Sequence, residues 1–165
     1  MFACNQGGHF SQMMALKEVF ESYHSVLVTD NVRATKDMQN LKNIGHIEYA
    51  FAMAKKRKRL SAATGKGNNR FEFLLAYLKL FWECRKIWNK YRPAAIISTG
   101  SNIAVPLFII GRLKGSKLIF IETRAKVYSK SMTGHIVGKL AHIVFVQWPE
   151  MKRIYPKALY CGTLV

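Results

Sequence analysis

Short apolar runs and segments of helical periodicity alternate along this chain of 165 residues. The runs that predict strands are residues 2–4, 25–29, 47–51, 94–99, 118–121, 143–146 and 158–160. The segments whose apolar spacing predicts helices are residues 9–23, 35–42, 71–91, 104–114, 135–141 and 150–155. Because parallel sheets are built from strand–helix–strand units, this order predicts a single Rossmann-like α/β domain with a mostly parallel sheet over residues 1–165.

The composition narrows the classes of partner. Half of the residues are hydrophobic, which argues against a disordered chain. The chain carries 26 Lys and Arg residues against 9 Asp and Glu residues, a formal net charge of +17. Such an excess predicts a polyanionic partner: nucleic acid, an anionic membrane surface or a phosphorylated substrate.

Cysteine content and hydropathy bear on the compartment. Three widely spaced cysteines, Cys4, Cys84 and Cys161, predict reduced thiols in a cytosolic protein, with neither a disulfide framework nor a zinc site. No signal peptide is visible, and no apolar stretch reaches the roughly 20 residues that a membrane-spanning helix needs. We therefore expect a cytosolic chain that holds no metal.

The segment Asn5–Ser11 places two glycines between the first strand and the first helix. In doubly wound sheets, ligands bind at the carboxyl ends of the strands, where this segment falls. Gly7 and Gly8 lead into a helix N-terminus, whose free N–H groups favour a phosphate, and they let a ligand approach the backbone. A tight turn without a ligand would use the same residues. His9 is equally open: it is a candidate catalytic group or a first-turn residue bonded to a nearby carbonyl.

A dinucleotide site is the main alternative for a glycine turn in such a domain. Its fingerprint requires Gly-x-Gly-x-x-Gly and an acidic residue at the end of the second strand. Asp30 ends the second predicted strand, but the turn lacks the third glycine. Thr64–Gly67 lacks the rest of a Walker loop. The spacing therefore predicts no nucleotide cofactor.

Two further polar segments fall at the carboxyl ends of predicted strands. Glu122 follows the fifth strand beside Arg124, as a carboxylate at the ligand-binding edge or as half of a surface ion pair. The turn after the fourth strand is also suited to phosphate, although either of its last two residues could be an ordinary helix cap. This turn consists of Thr99, Gly100, Ser101 and Asn102.

A cluster of cations precedes the longest predicted helix. The helix over residues 71–91 is apolar on almost every side in its first half and basic in its second half. A buried core helix is the default interpretation, but cations beside aromatic and aliphatic side chains also describe a helix that lies on an anionic membrane. We favour the membrane over nucleic acid, which is bound by basic residues interleaved with exposed polar and stacking groups. The predicted membrane contacts are Lys55, Lys56, Arg57, Lys58 and Arg59, in a basic loop over residues 54–70, and Phe73, Leu74 and Trp82 on the helix.

Several motifs together resemble one known family. They are Gly7-Gly8-His9, Ala94–Gly100, Ala104-Val105-Pro106, Lys117–Glu122, Val146–Glu150 and Tyr155–Ala158. These motifs resemble the PssD-like bacterial polysaccharide-biosynthesis proteins, which are related to the membrane-anchoring subunit of the eukaryotic two-part UDP-N-acetylglucosamine transferase. The resemblance covers essentially the whole chain, and its Gln-Trp-Pro-Glu and Ser-Thr-Gly elements are more specific than the glycine pair.

The resemblance implies one half of a split GT-B glycosyltransferase. This chain would be the α/β domain equivalent to the N-terminal, acceptor-side half. A small PssE-like partner would bind the UDP-sugar, and the acceptor would be a polyprenyl-diphosphate-linked saccharide in exopolysaccharide or capsule biosynthesis. The chain would dock peripherally on the cytoplasmic face of the cell membrane. It would be active only with its partner, without a cofactor of its own and without nucleic acid.

Similarity to the single-chain relative MurG implies roles for individual residues. His9 is expected to act as the base that takes the proton of the acceptor hydroxyl, with Glu122 as the rival base or as the group that orients the acceptor. The residues expected to bind the acceptor diphosphate and sugar are Gly7, Gly8, Ser11, Thr99, Gly100, Ser101, Asn102 and Arg124. The C-terminal stretch would help to dock the partner, and the interface residues expected are Trp148, Tyr160 and Leu164.

The chain departs from this family in two places. The relatives usually carry glycine or serine where Asn5 and Gln6 stand, so the first turn has bulkier side chains here. The eukaryotic relatives have an N-terminal membrane anchor that this sequence does not show. Anchoring is therefore expected from the basic loop and the helix over residues 71–91.

Two other function classes remain open from the sequence. A basic nucleic-acid-binding α/β module would account for the net charge, and a steep salt dependence of DNA or RNA binding would identify it. A dinucleotide-dependent oxidoreductase would require NAD(P) binding, which the glycine spacing does not support.

Overall fold

The computed structural model describes residues 1–30, 45–50 and 69–164. The helix predicted over residues 35–42 and the basic run Lys55–Arg59 lie outside the described residues. The strands are β1 (Phe2–Ala3), β2 (Val26–Asp30), β3 (His46–Ala50), β4 (Ala95–Ser98), β5 (Lys117–Ile121), β6 (Ile143–Val146) and β7 (Leu159–Tyr160). The helices are α1 (Gly8–Met14), α2 (Lys17–Ser22), α3 (Asn69–Tyr91), α4 (Ala104–Leu113), α5 (Met132–Leu140) and a 3-10 helix (Pro149–Arg153).

The strands form one parallel sheet in the order β3-β2-β1-β4-β5-β6-β7. The predicted α/β class is confirmed. The strand order reverses direction at β1, which pairs with β2 on one side and with β4 on the other. Such a reversal opens a crevice outside the carboxyl ends of the two central strands, here β1 and β4.

The helical predictions differ from the structure in three places. The helix predicted over residues 9–23 is two short helices, because Leu16 donates its N–H to Met13 and accepts from Val19 in tighter, three-residue bonds. The helix predicted over residues 150–155 is a 3-10 helix that starts at Pro149. The fifth α-helix begins at Met132, three residues earlier than predicted, where Ser131 caps it.

The two faces of the sheet are covered by different helices. One face packs against α3, α4 and α5 and contains Leu80, Phe108 and Phe120 among its buried side chains. The other face holds a smaller cluster that includes Phe2 and Phe20, whose ring centroids lie 3.8 Å apart. The buried aliphatic strands leave polar side chains only at the strand ends and in the loops, which is where a ligand site can form.

The helix α3 is apolar on two opposite faces. One stripe, which includes Leu80 and Cys84, is buried in the core. The opposite stripe is exposed and consists of Leu74, Leu75, Leu78 and Trp82; we call it the α3 stripe. Phe73 is exposed too, but it lies seven residues before Leu80 and therefore on the side of the buried stripe, where its ring stacks on that of Tyr77. Residues two apart on a helix point about 200° from one another, so positions 78 and 80 cannot share a face. The core interpretation of this helix therefore holds for one face only, and the other face is exposed. In the part of the chain that the structure describes, no helix is long and apolar enough to cross a membrane.

Candidate functional site

The crevice between β1 and β4 is bordered by the two turns that follow these strands. His9 lies at the start of α1, directly after the turn that follows β1, and its Nδ1 is 2.9 Å from the carbonyl oxygen of Thr99 in the turn that follows β4. Oγ1 of Thr99 donates in return to the carbonyl oxygen of His9, at 2.8 Å. Two turns separated by 90 residues of sequence therefore form one continuous wall of the crevice.

The bond to Thr99 selects one tautomer of the neutral His9 ring. A carbonyl oxygen can only accept, so Nδ1 carries a proton and, in the neutral ring, Nε2 is the nitrogen with the lone pair. The ring is partly exposed, and within the described residues its Nε2 makes no hydrogen bond. His9 therefore presents an oriented proton acceptor to the crevice.

The glycines of the two turns have different reasons to be glycine. Gly7 has a φ of +95° and Gly100 a φ of +98°, a region that disfavours side chains. An added Cβ at Gly100 would lie 3.1 Å from Cε1 of His9, so this residue also makes room for the ring. At Gly7 and Gly8 an added Cβ would meet no atom within 4 Å, which leaves the space in front of the first turn open.

The second turn also presents a buried hydroxyl at a helix N-terminus. Ser101 is 5% exposed, and among the described residues its Oγ has no hydrogen-bond partner. The helix α4 has Ile103 as its N-cap and no side-chain cap, so the interpretation of Ser101 or Asn102 as an ordinary cap is wrong. A buried polar group without a partner calls for one. The dipole of α4 favours an anion there, although N of Ala104 already donates to the carbonyl oxygen of Ser101 and Pro106 has no N–H to offer.

Glu122 lies at the same sheet edge but is only 1% exposed. Its Oε2 accepts hydrogen bonds from the hydroxyl of Tyr155 (2.7 Å) and from N of Ser131 (3.3 Å), and its Oε1 accepts from N of Thr123 (3.0 Å). The interpretation as a surface pair with Arg124 is therefore wrong. Burial, and then the carboxylate of Glu122, raise the pKa of Tyr155. We call Glu122, its donors Thr123, Ser131 and Tyr155, and the adjacent Gly134 the Glu122 cluster.

The packing of Gly134 shows how tight the Glu122 cluster is. An added Cβ there would collide with Oε2 of Glu122 and with the hydroxyl of Tyr155. The cluster joins the end of β5, the start of α5 and Tyr155, two residues after the 3-10 helix, so it holds the loop over residues 123–131 in place. Its geometry is that of a structural carboxylate with its oxygens engaged.

Two buried amides that the sequence analysis did not single out connect the crevice to the C-terminal segment. Gln12, on α1, donates to the carbonyl oxygen of Gly8 (3.2 Å) and accepts from N of Arg124 (3.1 Å). Gln147 donates to Oε1 of Gln12 (2.6 Å) and accepts from N of Leu164 (3.0 Å). The only sequence signal was that Gln147 belongs to the Gln-Trp-Pro-Glu element, because neutral amides leave no charge or spacing pattern.

Asp30 stabilises the turn after β1 by hydrogen bonds, a role different from binding the ribose of a dinucleotide. Its carboxylate accepts from N of Gln6 (2.9 Å) and from Nδ2 of Asn5 (3.3 Å), and its carbonyl oxygen accepts from Nε2 of Gln6 (3.1 Å). The side chains of Asn5 and Gln6, the departures from the expected family pattern, are thus used to hold the turn. This occupation of Asp30 removes the remaining support for a dinucleotide site.

The other predicted site residues are distributed around the crevice. Ser11, Asn102 and Arg124 are exposed near its rim, and Nε1 of Trp148 donates to the carbonyl oxygen of Arg124 at 2.7 Å. Tyr160 lies on the exposed edge strand β7. Among the described residues, no group of three His, Cys, Asp or Glu side chains could hold a metal ion.

Comparison with known proteins places these features in a family. A family model described as "Oligosaccharide biosynthesis protein Alg14 like" matches residues 2–164. The UDP-N-acetylglucosamine transferase subunit ALG14 of Mus musculus is 20% identical over 178 residues, which cover 100% of this chain and 82% of that protein. The subunit of the same name from Kluyveromyces lactis is 44% identical over 50 residues, which cover 30% of this chain and 21% of that protein.

A solved structure shares the fold. The crystal structure of MurG from Acinetobacter baumannii superposes with a TM-score of 0.66 at 17% sequence identity. The match covers 100% of this chain and 43% of the MurG chain, so this chain spans less than half of that protein. At this identity the likeness concerns the fold alone.

Proposed function

The chain belongs to the family of Alg14-like oligosaccharide biosynthesis proteins, and from this premise we propose that it is the acceptor-binding, membrane-docking subunit of a two-part glycosyltransferase. The observation that carries the proposal is the pair of bonded turns at the switch point of the sheet. There, among the residues that the structure describes, one ring nitrogen of His9 makes no hydrogen bond, and the buried hydroxyl of Ser101 near the N-terminus of α4 has no partner.

His9 is proposed to be the general base of the transfer. An acceptor hydroxyl placed in the crevice gives its proton to Nε2 of His9. Its oxygen forms a bond to the anomeric carbon of the donor sugar while the bond from that carbon to UDP breaks, and UDP leaves with the bonding electrons. Because Nδ1 is committed to Thr99, the ring already has the tautomer that this step requires.

The acceptor diphosphate is proposed to bind at the second turn. Ser101 offers a hydroxyl beside the N-terminal, positive end of the α4 dipole, and Gly100 leaves room for the ring of His9 next to it. The open space at Gly7 and Gly8 leaves room for the first sugar of the acceptor. Glu122, which is buried and fully bonded, is assigned a positioning role and not that of the base.

The length of α3 supports membrane docking near this crevice. The helix has 23 residues and is therefore about 34 Å long, whereas the four residues of β4 span only about 13 Å. A crossover helix runs back towards the start of the next strand, so the N-terminal half of α3 extends past the carboxyl edge of the sheet. That half carries most of the α3 stripe, and Nζ of Lys86 lies 5.4 Å from the ring centroid of Trp82. Apolar side chains with cations beside them are suited to an anionic bilayer.

The UDP-sugar is proposed to be bound by a separate, PssE-like subunit. The edge strand β7 exposes Leu159 and Tyr160, and an edge strand is a surface on which another chain can dock. Trp148 and Leu164 are proposed to complete this interface. The proposed acceptor is a polyprenyl-diphosphate-linked saccharide of exopolysaccharide or capsule biosynthesis, handled at the cytoplasmic face of the membrane.

The test is transfer by the reconstituted pair. The chain is co-expressed with its candidate donor-binding subunit and supplied with labelled UDP-sugars and a polyprenyl-diphosphate-linked sugar in vesicles. We expect transfer only when both proteins are present, and loss of transfer in His9→Ala but not in Glu122→Gln. Transfer by the partner alone, or full activity in His9→Ala, would overturn the assignment.

A further inference from the structure

A second exposed apolar surface lies on α5 and the loop before it. Met132 is 91% exposed, Tyr128 79% and Ile136 48%. Met132 and Ile136 are four residues apart, so they lie on one face of the helix, while Gly134 and Val137 face the core. We call Tyr128, Met132 and Ile136 the α5 patch. Apolar side chains grouped at this exposure mark a contact surface.

The charge around the α5 patch has one sign. The sequence from Thr123 to Pro149 contains Arg124, Lys126, Lys130 and Lys139 and no Asp or Glu. Nζ of Lys130 lies 4.4 Å from the ring centroid of Tyr155, which keeps this cation close to the start of α5. An apolar patch in a stretch of chain whose formal charges are all positive is suited to an anionic lipid surface.

The α5 patch lies at the same edge of the sheet as the crevice. The helix α5 follows the carboxyl end of β5, so its N-terminal residue Met132 is at the edge where His9 and Gly100 lie. The helix α4 packs between α3 and α5, which places the α5 patch and the α3 stripe on opposite sides of α4. A single apolar helix on a bilayer can still roll about its axis, but two contacts on either side of α4 fix one orientation.

We propose that the α5 patch is a second membrane contact, which inserts Tyr128, Met132 and Ile136 into an anionic phospholipid surface and orients the crevice towards it. The inference rests on the proposed membrane-docking function. Three side chains are too few for a stable protein interface, which buries roughly 800 Å² on each partner. They are sufficient for a bilayer contact, because their insertion free energy adds to that of the α3 stripe.

The experiment measures partitioning onto vesicles of phosphatidylcholine with phosphatidylglycerol, and onto vesicles of phosphatidylcholine alone. The α5 variant is Met132→Ser with Ile136→Ser, the α3 variant is Leu74→Ser with Leu78→Ser, and the matched control is Leu113→Ser. Leu113 is as exposed as Tyr128 but ends α4 at the opposite, amino edge of the sheet. Because all these side chains are exposed, melting curves are expected to show intact folds.

We expect the α5 variant to lose roughly tenfold in binding to the anionic vesicles, the combined α5 and α3 variant to lose more than either alone, and the control to bind as wild type does. Wild-type binding by the α5 variant, with loss in the α3 variant, would overturn this inference and leave membrane docking intact. Wild-type binding by both would overturn both. If the α5 variant instead lost co-purification with the donor-binding subunit and kept vesicle binding, the patch would belong to the partner and the inference would be wrong.

Discussion

Two titratable groups, His9 and Glu122, lie at the same edge of one sheet, and their surroundings differ in every respect that matters for chemistry. His9 lies at the start of α1 and is partly exposed, with one ring nitrogen bonded to Thr99 and the other without a bond in the described part of the chain. Glu122 is buried, and its two oxygens accept from Tyr155, Ser131 and Thr123. Position at the carboxyl edge is common to both, so position alone does not identify a catalytic group.

The difference shows that the exposure and the hydrogen bonds of a residue at such an edge separate a candidate base from a structural group. A general base needs a free lone pair that a substrate can reach, and only His9 offers one. A carboxylate whose oxygens are all occupied by protein donors stabilises the loop that donates to it. The edge of this sheet therefore separates into the wall that carries the proposed base, made by the turns after β1 and β4, and a rigid support, made by the Glu122 cluster.

The largest effect is expected from His9→Ala. Loss of the base should lower the rate of sugar transfer by about 10²- to 10⁴-fold in the reconstituted enzyme, while the melting temperature changes little because the ring is partly exposed. The matched control is His24→Ala, an exposed histidine before β2 at the opposite edge of the sheet. Equal losses of transfer rate in His9→Ala and His24→Ala would show that the wall at His9 matters no more to the reaction than the rest of the surface.

The next effect concerns the rigid support. Gly134→Ala should lower the free energy of unfolding by about 1–3 kcal/mol, because the added methyl group displaces the bonded oxygens of Glu122 and Tyr155. Gly138→Ala is the comparison, since its Cβ would meet mainly one ring carbon of Tyr155, at 2.8 Å. Urea denaturation should rank Gly134→Ala as the less stable variant, and the reverse order would show that the Glu122 cluster is not the tighter of the two contacts.

The sequence predicts where His9 and Glu122 lie on the sheet, but not the long-range contacts that make their roles different. Apolar runs and turn residues predict the parallel sheet and place both His9 and Glu122 at strand ends, because these signals are local. The burial of Glu122 depends on Tyr155, which is 33 residues away, and the link between Gln12 and Gln147 spans 135 residues. The local sequence pattern carries no information about such distant pairs. It therefore predicts a carboxylate at the edge of the sheet without showing whether Glu122 is a catalytic base or a structural residue.

An effect of similar size is expected where the two regions are joined. Gln147→Leu should cost about 1–3 kcal/mol of folding stability, because N of Leu164 and Oε1 of Gln12 lose a bonding partner in a buried setting. Hydrogen exchange should become faster at the amides of Leu164 and Arg124. Leu164→Pro, which removes the N–H that bonds to Gln147, should reproduce the effect at Arg124 in part, whereas Leu164→Ala, which shortens the side chain and keeps the N–H, should not. Unchanged exchange at Arg124 in Gln147→Leu would show that the amide pair does not hold the loop.

The smallest effect is a pH-dependent one in Tyr155→Phe. The folded pKa of Tyr155 is raised by burial and then by the carboxylate of Glu122. The fold therefore favours the neutral phenol, so this contribution to stability is fully present below the unfolded value of about 10 and is lost as the pH rises above it. Near neutral pH the variant should be less stable by about 1 kcal/mol, through one missing hydrogen bond. Above about pH 10 the difference between wild type and variant should shrink, as measured by urea denaturation at each pH. The control is sugar transfer per folded molecule, which should be the same in both proteins at neutral pH. A difference in stability that stayed constant with pH would mean that the phenol is not held neutral by the Glu122 cluster.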